Sequence, residues 1–375
     1  MRIRIAVVGV CTALLLTGCT SASPDAAAGR HSLEAKNGAA DAAARRAVPR
    51  GRGSALPDDF NGDGLPDLVL NDLVKAEGDT YGDDAGIGIV YGTAGGAGVD
   101  PSVRQLLTPR ERAAKVDGVL PAAFEAEAAC DLDGDGYGDL IITTDPPYNG
   151  IGMPPVPLQI LFGGPTGLTG RAVVLKIPAV ARAGNEWPDH PVCGDFDGDG
   201  KTDLAVTASG GQVSFLRGPF TRAGAPRSAA APVPAGGPVL AAPEPKADAS
   251  ADGSADVNGD GYDDLVVLGR ARTPGRAARG RLLPGGPKGF GGAGATYGFK
   301  ATRLPPAPKL PAGRGRTVTE AIRPGFGGGL ATRTHRGETT DVVAVYAAGG
   351  RRPVTTFSTS VFLAGASSGT PTASP

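Results

Sequence analysis

The sequence predicts an all-β protein built from repeated four-stranded units, and three observations support this prediction. The chain of 375 residues contains 60 glycines and 34 prolines, a density that disfavours long helices and favours short strands joined by turns. One acidic pattern of nine residues occurs four times at near-regular intervals. Short runs rich in β-branched and aromatic residues, which are typical of strands, follow each copy.

The first 18 residues are predicted to be the signal peptide of an exported lipoprotein. Arg2 and Arg4 precede a mostly apolar run from Ile5 to Leu16, which is shorter than the roughly 20 residues that a membrane-spanning helix needs. The run ends in Leu-Thr-Gly before Cys19, a pattern that resembles the cleavage site of bacterial lipoproteins. This resemblance implies a lipidated Cys19 and anchoring to the outer face of the cell membrane. An ordinary signal peptide with an incidental cysteine is the alternative.

Two further segments are predicted to lie outside the folded part. Residues 19–54 are rich in Ala, Gly, Arg and Ser and contain no Phe, Tyr or Trp, so we expect a flexible tether. Residues 366–375 are polar and are expected to form a disordered tail.

The acidic pattern has Asp or Asn at positions 1, 3, 5 and 9 and Gly at position 6. Its copies begin at residues 59, 131, 195 and 256, which are 72, 64 and 61 residues apart. Together with the strand that leads into the next loop, each unit holds four strands in about 60 residues, the size of a propeller blade. A fifth unit repeats the strand pattern without the acidic loop, at Asp341–Val345 and Ser360–Ala364. The predicted β-propeller spans residues 55–365, with blades near 55–110, 125–178, 190–243, 252–305 and 318–365.

These units resemble the FG-GAP repeats of the integrin α-subunit propeller and its bacterial relatives, which include VCBS-type repeats. The resemblance covers roughly Ser54 to Leu363 and rests on the acidic loops together with the Gly-Gly-Pro-x-Gly turns that begin at Gly163 and Gly285. The family more often has seven blades, and seven blades of about 60 residues need about 420 residues. Only 357 follow a cleavage before Cys19. The resemblance therefore implies five blades, or an incomplete ring that closes by self-association.

The acidic loops have the ligand pattern that Ca²⁺ requires, with oxygen ligands at alternate positions and a glycine that lets the chain turn around the ion. An EF-hand is excluded, because it needs a Glu at position 12, where this chain has Leu, Ile or Val. Magnesium fits less well, since it keeps several waters, and plain turns without an ion are the other alternative. We predict up to four structural calcium ions. Their predicted ligands are Asp59, Asn61, Asp63, Leu65, Asp67, Asp131, Asp133, Asp135, Tyr137, Asp139, Asp195, Asp197, Asp199, Lys201, Asp203, Asp256, Asn258, Asp260, Tyr262 and Asp264.

The sequence shows no catalytic constellation and favours a binding function. The chain has only three histidines, which is few for acid–base or nucleophilic catalysis. An extracellular hydrolase or lyase on a propeller scaffold is one alternative, because fold does not fix function, and a structural envelope lipoprotein is another. The formal net charge of −1 gives no reason to expect a nucleic acid partner.

The resemblance places ligand contacts on the face opposite the acidic loops, formed by the connections between second and third strands and between blades. The candidate contacts there are Tyr81, Tyr148, Trp187 and His190. Trp187 is the only tryptophan, and an exposed Trp suits sugar stacking or a protein interface, although packing between blades is an equal alternative. We therefore expect an extracellular glycan or protein ligand, and a membrane contact through the lipid anchor.

Two cysteines stand just before acidic loops of neighbouring units. Cys130 is one residue and Cys193 two residues ahead of the first Asp of its loop. Sequence alone leaves a disulfide open, since geometry decides it, and two small buried thiols are the favoured state.

Overall fold

The computed structural model describes residues 45–76, 86–94, 98–145, 156–184, 188–244 and 255–365. The chain divides into two units, residues 1–42 and 43–375, and every described residue belongs to the second. The predicted signal peptide, Cys19 and the predicted tail lie outside the described residues. In the described part the helices are short: two α-helices, α1 (Pro109–Arg112) and α2 (Ala179–Arg182), and two 3-10 helices, Phe326–Gly328 and Thr359–Gly365.

The strands of the described residues form five antiparallel sheets in which neighbours in the chain pair with each other. The first sheet consists of β1 (Leu68–Leu70), β2 (Ile87–Gly92) and β3 (Val99–Leu107). The second consists of β4 (Ala123–Cys130), β5 (Asp139–Asp145), β6 (Gln159–Leu161) and β7 (Val173–Val174). The third consists of β8 (Val192–Gly194), β9 (Asp203–Ala208) and β10 (Gln212–Arg217), with two short strands, β11 (Ser228–Ala229) and β12 (Val233–Pro234), that both pair with β10.

The last two sheets have four strands each. The fourth consists of β13 (Val239–Ala241), β14 (Leu265–Leu268), β15 (Ala278–Leu283) and β16 (Thr296–Phe299). The fifth consists of β17 (Val318–Pro324), β18 (Leu330–Arg336), β19 (Thr340–Tyr346) and β20 (Thr355–Phe357). The five sheets are the blades of a β-propeller, which confirms the predicted fold class.

Strands buried on both faces hold neighbouring blades together. In β5, Leu140 and Ile142 pack in a cluster with Ile89 of the first blade, whereas Ile141 packs in a cluster with Leu204 of the third. Alternate residues of a strand point to opposite faces, so one strand contributes to the cores on both sides of its blade. This explains why the runs after the acidic loops are continuously apolar rather than alternating.

The ring closes within one chain, because the fifth blade packs directly on the first. Leu68 and Val90 of the first blade share a buried cluster with Val343 of the fifth and with Phe362 of the second 3-10 helix. The backbone N–H of Val74 also donates to Thr359 Oγ1 at 2.9 Å. Of the two predicted arrangements, the structure therefore has the closed ring of five blades.

Two strand predictions differ from the structure. The fourth sheet begins at β13, upstream of the predicted start near residue 252, because Val239–Ala241 pairs with β14 across the fourth acidic loop. The run Ser360–Ala364, predicted as a strand, is wrong: it lies in the second 3-10 helix, which places Val361 and Phe362 in the core between the first and fifth blades. The predicted strand Asp341–Val345 is confirmed within β19.

The segment 45–54, predicted as the last part of the tether, instead lies along the first two acidic loops. The backbone N–H of Gly51 donates to Asn61 O at 3.0 Å, and that of Ser54 donates to Gly136 O at 2.7 Å. Gly51 permits this approach, since a Cβ there would lie 2.0 Å from the carbonyl of Gly62. The composition of the segment suggested flexibility, but these long-range hydrogen bonds fix its path.

Cys130 and Cys193 form a disulfide, so the predicted pair of free thiols is wrong. Cys130 is the last residue of β4 and Cys193 lies in β8, and their Cα atoms are 6.4 Å apart, within the range that a disulfide can bridge. The bond joins the first strands of the second and third blades.

Candidate calcium loops and the opposite pocket

The first aspartate of each acidic loop organises the backbone around its carboxylate. In the second loop, Asp131 Oδ1 accepts hydrogen bonds from the N–H of Gly134 at 2.8 Å and of Asp135 at 3.1 Å, and its Oδ2 accepts one from Gly136 at 2.8 Å. Asp59, Asp195 and Asp256 make the equivalent bonds to position 6. The glycine at position 6 is required, because φ there lies between 76° and 89° in the four loops, the left-handed region that side chains disfavour.

The second residue of a loop anchors it in the core. Phe60, Leu132 and Phe196 are each 0% exposed and belong to the apolar clusters between blades. The sequence prediction considered only the polar positions of the loop. The apolar residue at position 2 of every copy is the feature that indicates this anchor. Burial of position 2 ties each of the first three loops to the packing of two blades.

The last aspartate of each loop joins it to the next hairpin. Asp139 Oδ2 accepts from Leu132 N and Asp139 Oδ1 accepts from Gly163 N, both at 2.9 Å. Burial, first of all, raises the pKa of Asp139 to about 8 and that of Asp203 to about 7, although these N–H donors oppose the shift. Position 9 is thus a structural anchor. Because burial disfavours its charged form, a cation bound nearby would stabilise this carboxylate.

Position 3 provides the observation that fits a cation. Three buried side-chain oxygens in the described part of the chain lack a hydrogen-bond partner, and all three are at position 3: Asn61 Oδ1, Asp133 Oδ1 and Asp197 Oδ1. A buried oxygen without a partner costs free energy unless an ion or water satisfies it. The first three loops therefore each present an oxygen ligand in the place where the pattern predicts a Ca²⁺ ligand.

The fourth loop differs at this position. Asn258 Oδ1 accepts a hydrogen bond from Asp260 N at 2.9 Å, so its oxygen is already satisfied. Carboxylate oxygens converge within 4.8 Å in two loops, from Asp131, Asp133 and Asp139 in the second and from Asp195, Asp197 and Asp199 in the third. The residues present fit calcium in the first three loops and fit it less well in the fourth.

That the position-7 carbonyls bind calcium stays a prediction. The residues involved are Leu65, Tyr137, Lys201 and Tyr262, and each donates its backbone N–H to the position-5 carboxylate of its loop at 3.0–3.1 Å. This bond ties the backbone of each position-7 residue to the position-5 carboxylate of the same loop.

Two arginines that were not predicted from the sequence lie beside the second and third loops. Arg222 of the third blade pairs with Asp133 and Asp135 of the second loop, and Arg217 pairs with Asp197 at 2.6 Å. Each guanidinium contacts the Oδ2 of the position-3 carboxylate, which leaves its Oδ1 free for a cation. Arg222 is 89 residues from Asp133 in the chain, so no local spacing could have shown this pair.

A polar cavity of about 610 Å³ lies on the opposite side from the loops. The acidic loops join the first and second strands of a blade, whereas the cavity is bordered by the end of β5 and by the β18–β19 turn, which connect second and third strands. Its ionisable lining residues are Asp72, Lys75, Glu125, Asp145, Glu320, Arg333, His335 and Glu338.

Of the four predicted ligand contacts, the structure describes one. Tyr81, Tyr148 and Trp187 lie outside the described residues, and His190 precedes β8 with its Nε2 3.6 Å from Asp189 Oδ2. Glu127 of β4 lies next to this pair. Much of its residue surface is open to solvent, but protein atoms crowd its carboxyl group. Burial, followed by the charge of Asp189, raises the pKa of Glu127 to about 7.

Comparison with known proteins supports the repeat. The family model of the FG-GAP repeat matches residues 192–225, which include β8, the third acidic loop, β9 and β10. No curated protein matches the chain significantly. In the described part of the chain, no helix has the length and apolar character needed to cross a membrane. The repeat match in the third blade and the five-bladed arrangement together support an FG-GAP β-propeller.

Proposed function

We propose that the protein is an exported, lipid-anchored propeller, stabilised by calcium, that binds an extracellular glycan or protein ligand. The observation that carries the binding function is the polar cavity on the face opposite the acidic loops. Concave pockets in which polar groups converge are the first candidates for binding sites. The FG-GAP repeat is consistent with a ligand-binding module of the integrin type.

The cavity favours a ligand rich in hydroxyl groups. Carboxylates such as Glu125 and Glu320 accept hydrogen bonds, while Arg333 and Lys75 donate them, and all four border the same space. A sugar offers both donors and acceptors to such a lining. A glycan is therefore the first ligand class to test.

Calcium is proposed as a structural ion rather than a reactant. The first three loops would hold it through positions 1 and 3, together with position 9 in the second loop and position 5 in the third. The ion would satisfy the oxygens at position 3 and reduce repulsion among the carboxylates. With a dissociation constant of about 0.1–1 mM, each ion would add about 0.4–1.4 kcal/mol at 1 mM calcium.

Export is supported by the leader pattern that ends at Cys19 and by the disulfide, since disulfides persist in oxidising compartments. The substitution Cys19→Ala tests the anchor. The wild-type protein is expected in the membrane fraction of the producing cell and the variant outside it. A wild-type protein that is recovered soluble would contradict the anchor.

The binding function is tested by exposing the full chain to a glycan array and to isolated cell-wall polysaccharide. The buffer contains about 2 mM calcium, which exceeds the dissociation constants of about 0.1–1 mM expected for extracellular modules. The double variant Asp145→Asn, Glu320→Gln removes two lining carboxylates, and Glu111→Gln, in α1 outside the cavity, is the matched control. We expect binding by the wild type and the control and loss of binding in the double variant. Equal binding by all three proteins would refute the cavity as the site, and release of sugar products would favour the hydrolase or lyase alternative.

A further inference from the structure

A second group of metal-ligating side chains lies between the second and third blades, away from the acidic loops. Glu127 is in β4, and Asp189 and His190 immediately precede β8. One ligand atom from each residue lies within 4.8 Å of the other two. Among the described residues this is the one such group that contains a histidine. We propose that Glu127, Asp189 and His190 bind a divalent transition metal ion of the Zn²⁺ type.

The ligand set selects against calcium. Ca²⁺ takes six to eight oxygen ligands, whereas an imidazole nitrogen suits zinc and other transition metals. Tetrahedral ligands at about 2.0–2.1 Å from zinc are about 3.3 Å from one another. The distance of 3.6 Å between His190 Nε2 and Asp189 Oδ2 is close to that value. Three protein ligands leave a fourth position of the metal for water or an external ligand.

Hydrogen bonds hold two of the ligands in place before any metal binds. The N–H of Asp189 donates to Thr207 Oγ1 at 2.8 Å, and the N–H of Thr207 donates to Asp189 O at 3.0 Å. Asp189 Oδ1 accepts from the N–H of His190 at 2.7 Å, so its Oδ2 is the oxygen on the side of the imidazole. The loop that carries the two ligands is thereby fixed to β9.

The disulfide fixes the third ligand relative to the other two. Cys130 is three residues after Glu127, and Cys193 is three residues after His190. The bond therefore joins the same two segments that carry the ligands. Because both segments are held together, the ligands lose little conformational freedom when a metal binds.

The proposed site borders the cavity of the opposite face. Thr143 lines that cavity and donates its Oγ1 hydrogen to Glu127 Oε1 at 3.3 Å. The metal site is independent of the proposed glycan function, since its evidence is the ligand geometry alone.

The test is isothermal titration of the full chain with zinc chloride, in an excess of calcium that occupies the acidic loops. We expect one zinc ion per wild-type chain and an affinity about 100-fold or more weaker in Glu127→Gln, since loss of even an outer-shell partner commonly costs 10–100-fold. Glu125→Gln, two residues earlier in the same strand, removes the same charge and is expected to change the affinity by less than about threefold. Equal melting temperatures in calcium would show that both variants are folded.

Two results would overturn the proposal. One is a wild-type chain that takes up no zinc in the presence of calcium. The other is a loss of affinity in Glu125→Gln as large as that in Glu127→Gln, which would show attraction by the acidic surface rather than coordination. His190→Ala adds a second variant, with the same loss expected as for Glu127→Gln.

Discussion

The second and fifth blades connect their first two strands in different ways. In the second blade the acidic loop from Asp131 to Asp139 joins β4 to β5 and leaves Asp133 Oδ1 buried without a partner. In the fifth blade a short turn that contains the 3-10 helix Phe326–Gly328 joins β17 to β18. That blade has a buried carboxylate of its own, Asp341, in β19.

Both oxygens of Asp341 are satisfied by the protein. Its Oδ1 accepts from Ser358 Oγ and from the N–H of Thr359, both at 2.9 Å. Its Oδ2 accepts from Arg333 Nε at 3.0 Å and from Thr359 Oγ1 at 2.8 Å. In the fifth blade, protein donors alone satisfy the buried carboxylate. In the second blade, Asp133 Oδ1 has no protein donor and is available to a cation. The stability of the two regions should therefore respond differently to calcium.

The largest expected effect is that of Asp341→Ala. This change leaves Arg333 buried without its carboxylate, and breaking a buried ion pair in this way costs about 3–5 kcal/mol of unfolding free energy. Urea unfolding should show the same loss in calcium and in chelator, because the network contains no metal ligand. Glu320→Gln in the same blade is the control, with an expected cost below about 1 kcal/mol. A loss that depends on calcium would contradict the contrast between the blades.

Chelation should have a smaller and local effect. Three ions with the affinities expected for extracellular modules contribute about 1–4 kcal/mol in total at 1 mM calcium. Hydrogen exchange should show that amides of the first three acidic loops lose protection in chelator, while those of β18 and β19 keep it. Equal loss in the fifth blade would mean that the ions act on the whole ring.

The smallest effect is expected from Asn258→Asp in the fourth loop. The change gives this loop the carboxylate at position 3 that the second and third loops have, and an added ion would stabilise the protein by about 0.4–1.4 kcal/mol at 1 mM calcium. In chelator the extra charge should slightly destabilise it, because the carboxylates repel one another. Asp260→Asn in the same loop is the control, and thermal unfolding with and without calcium measures both. Stabilisation in chelator as well would show that the change acts without an ion.

The sequence was sufficient for the five repeated units, because four acidic loops are each followed by an apolar strand and the fifth unit repeats the strand pattern without a loop. It left open whether these units close into a ring within one chain. It was not sufficient where contacts between residues far apart in the chain determine the local structure. Val361 and Phe362 read as part of a strand, yet their packing between the first and fifth blades makes them part of a helix. Val239–Ala241 falls within the predicted third blade, but it pairs with β14 of the fourth. The fourth acidic loop separates the two strands in the chain, so no local pattern shows that they pair.

The candidate sites also differ in whether the sequence alone could predict them. Local spacing revealed the loop carboxylates, but Arg222 and the group of Glu127, Asp189 and His190 come together from segments far apart in the chain. Only the arrangement of the blades brings them within reach of one another. The hydrogen bond that satisfies Asn258 is a local feature, but its sequence pattern is the same as that of Asn61, so only the structure separates the two loops.

The most direct test of this account is the number of calcium ions that the full chain binds, measured by equilibrium dialysis with radioactive calcium. The account predicts three ions per wild-type chain, one for each position-3 oxygen that lacks a protein partner. A chain that binds no calcium would contradict the metal role of the loops. Four ions of equal affinity would contradict the distinction between the first three loops and the fourth.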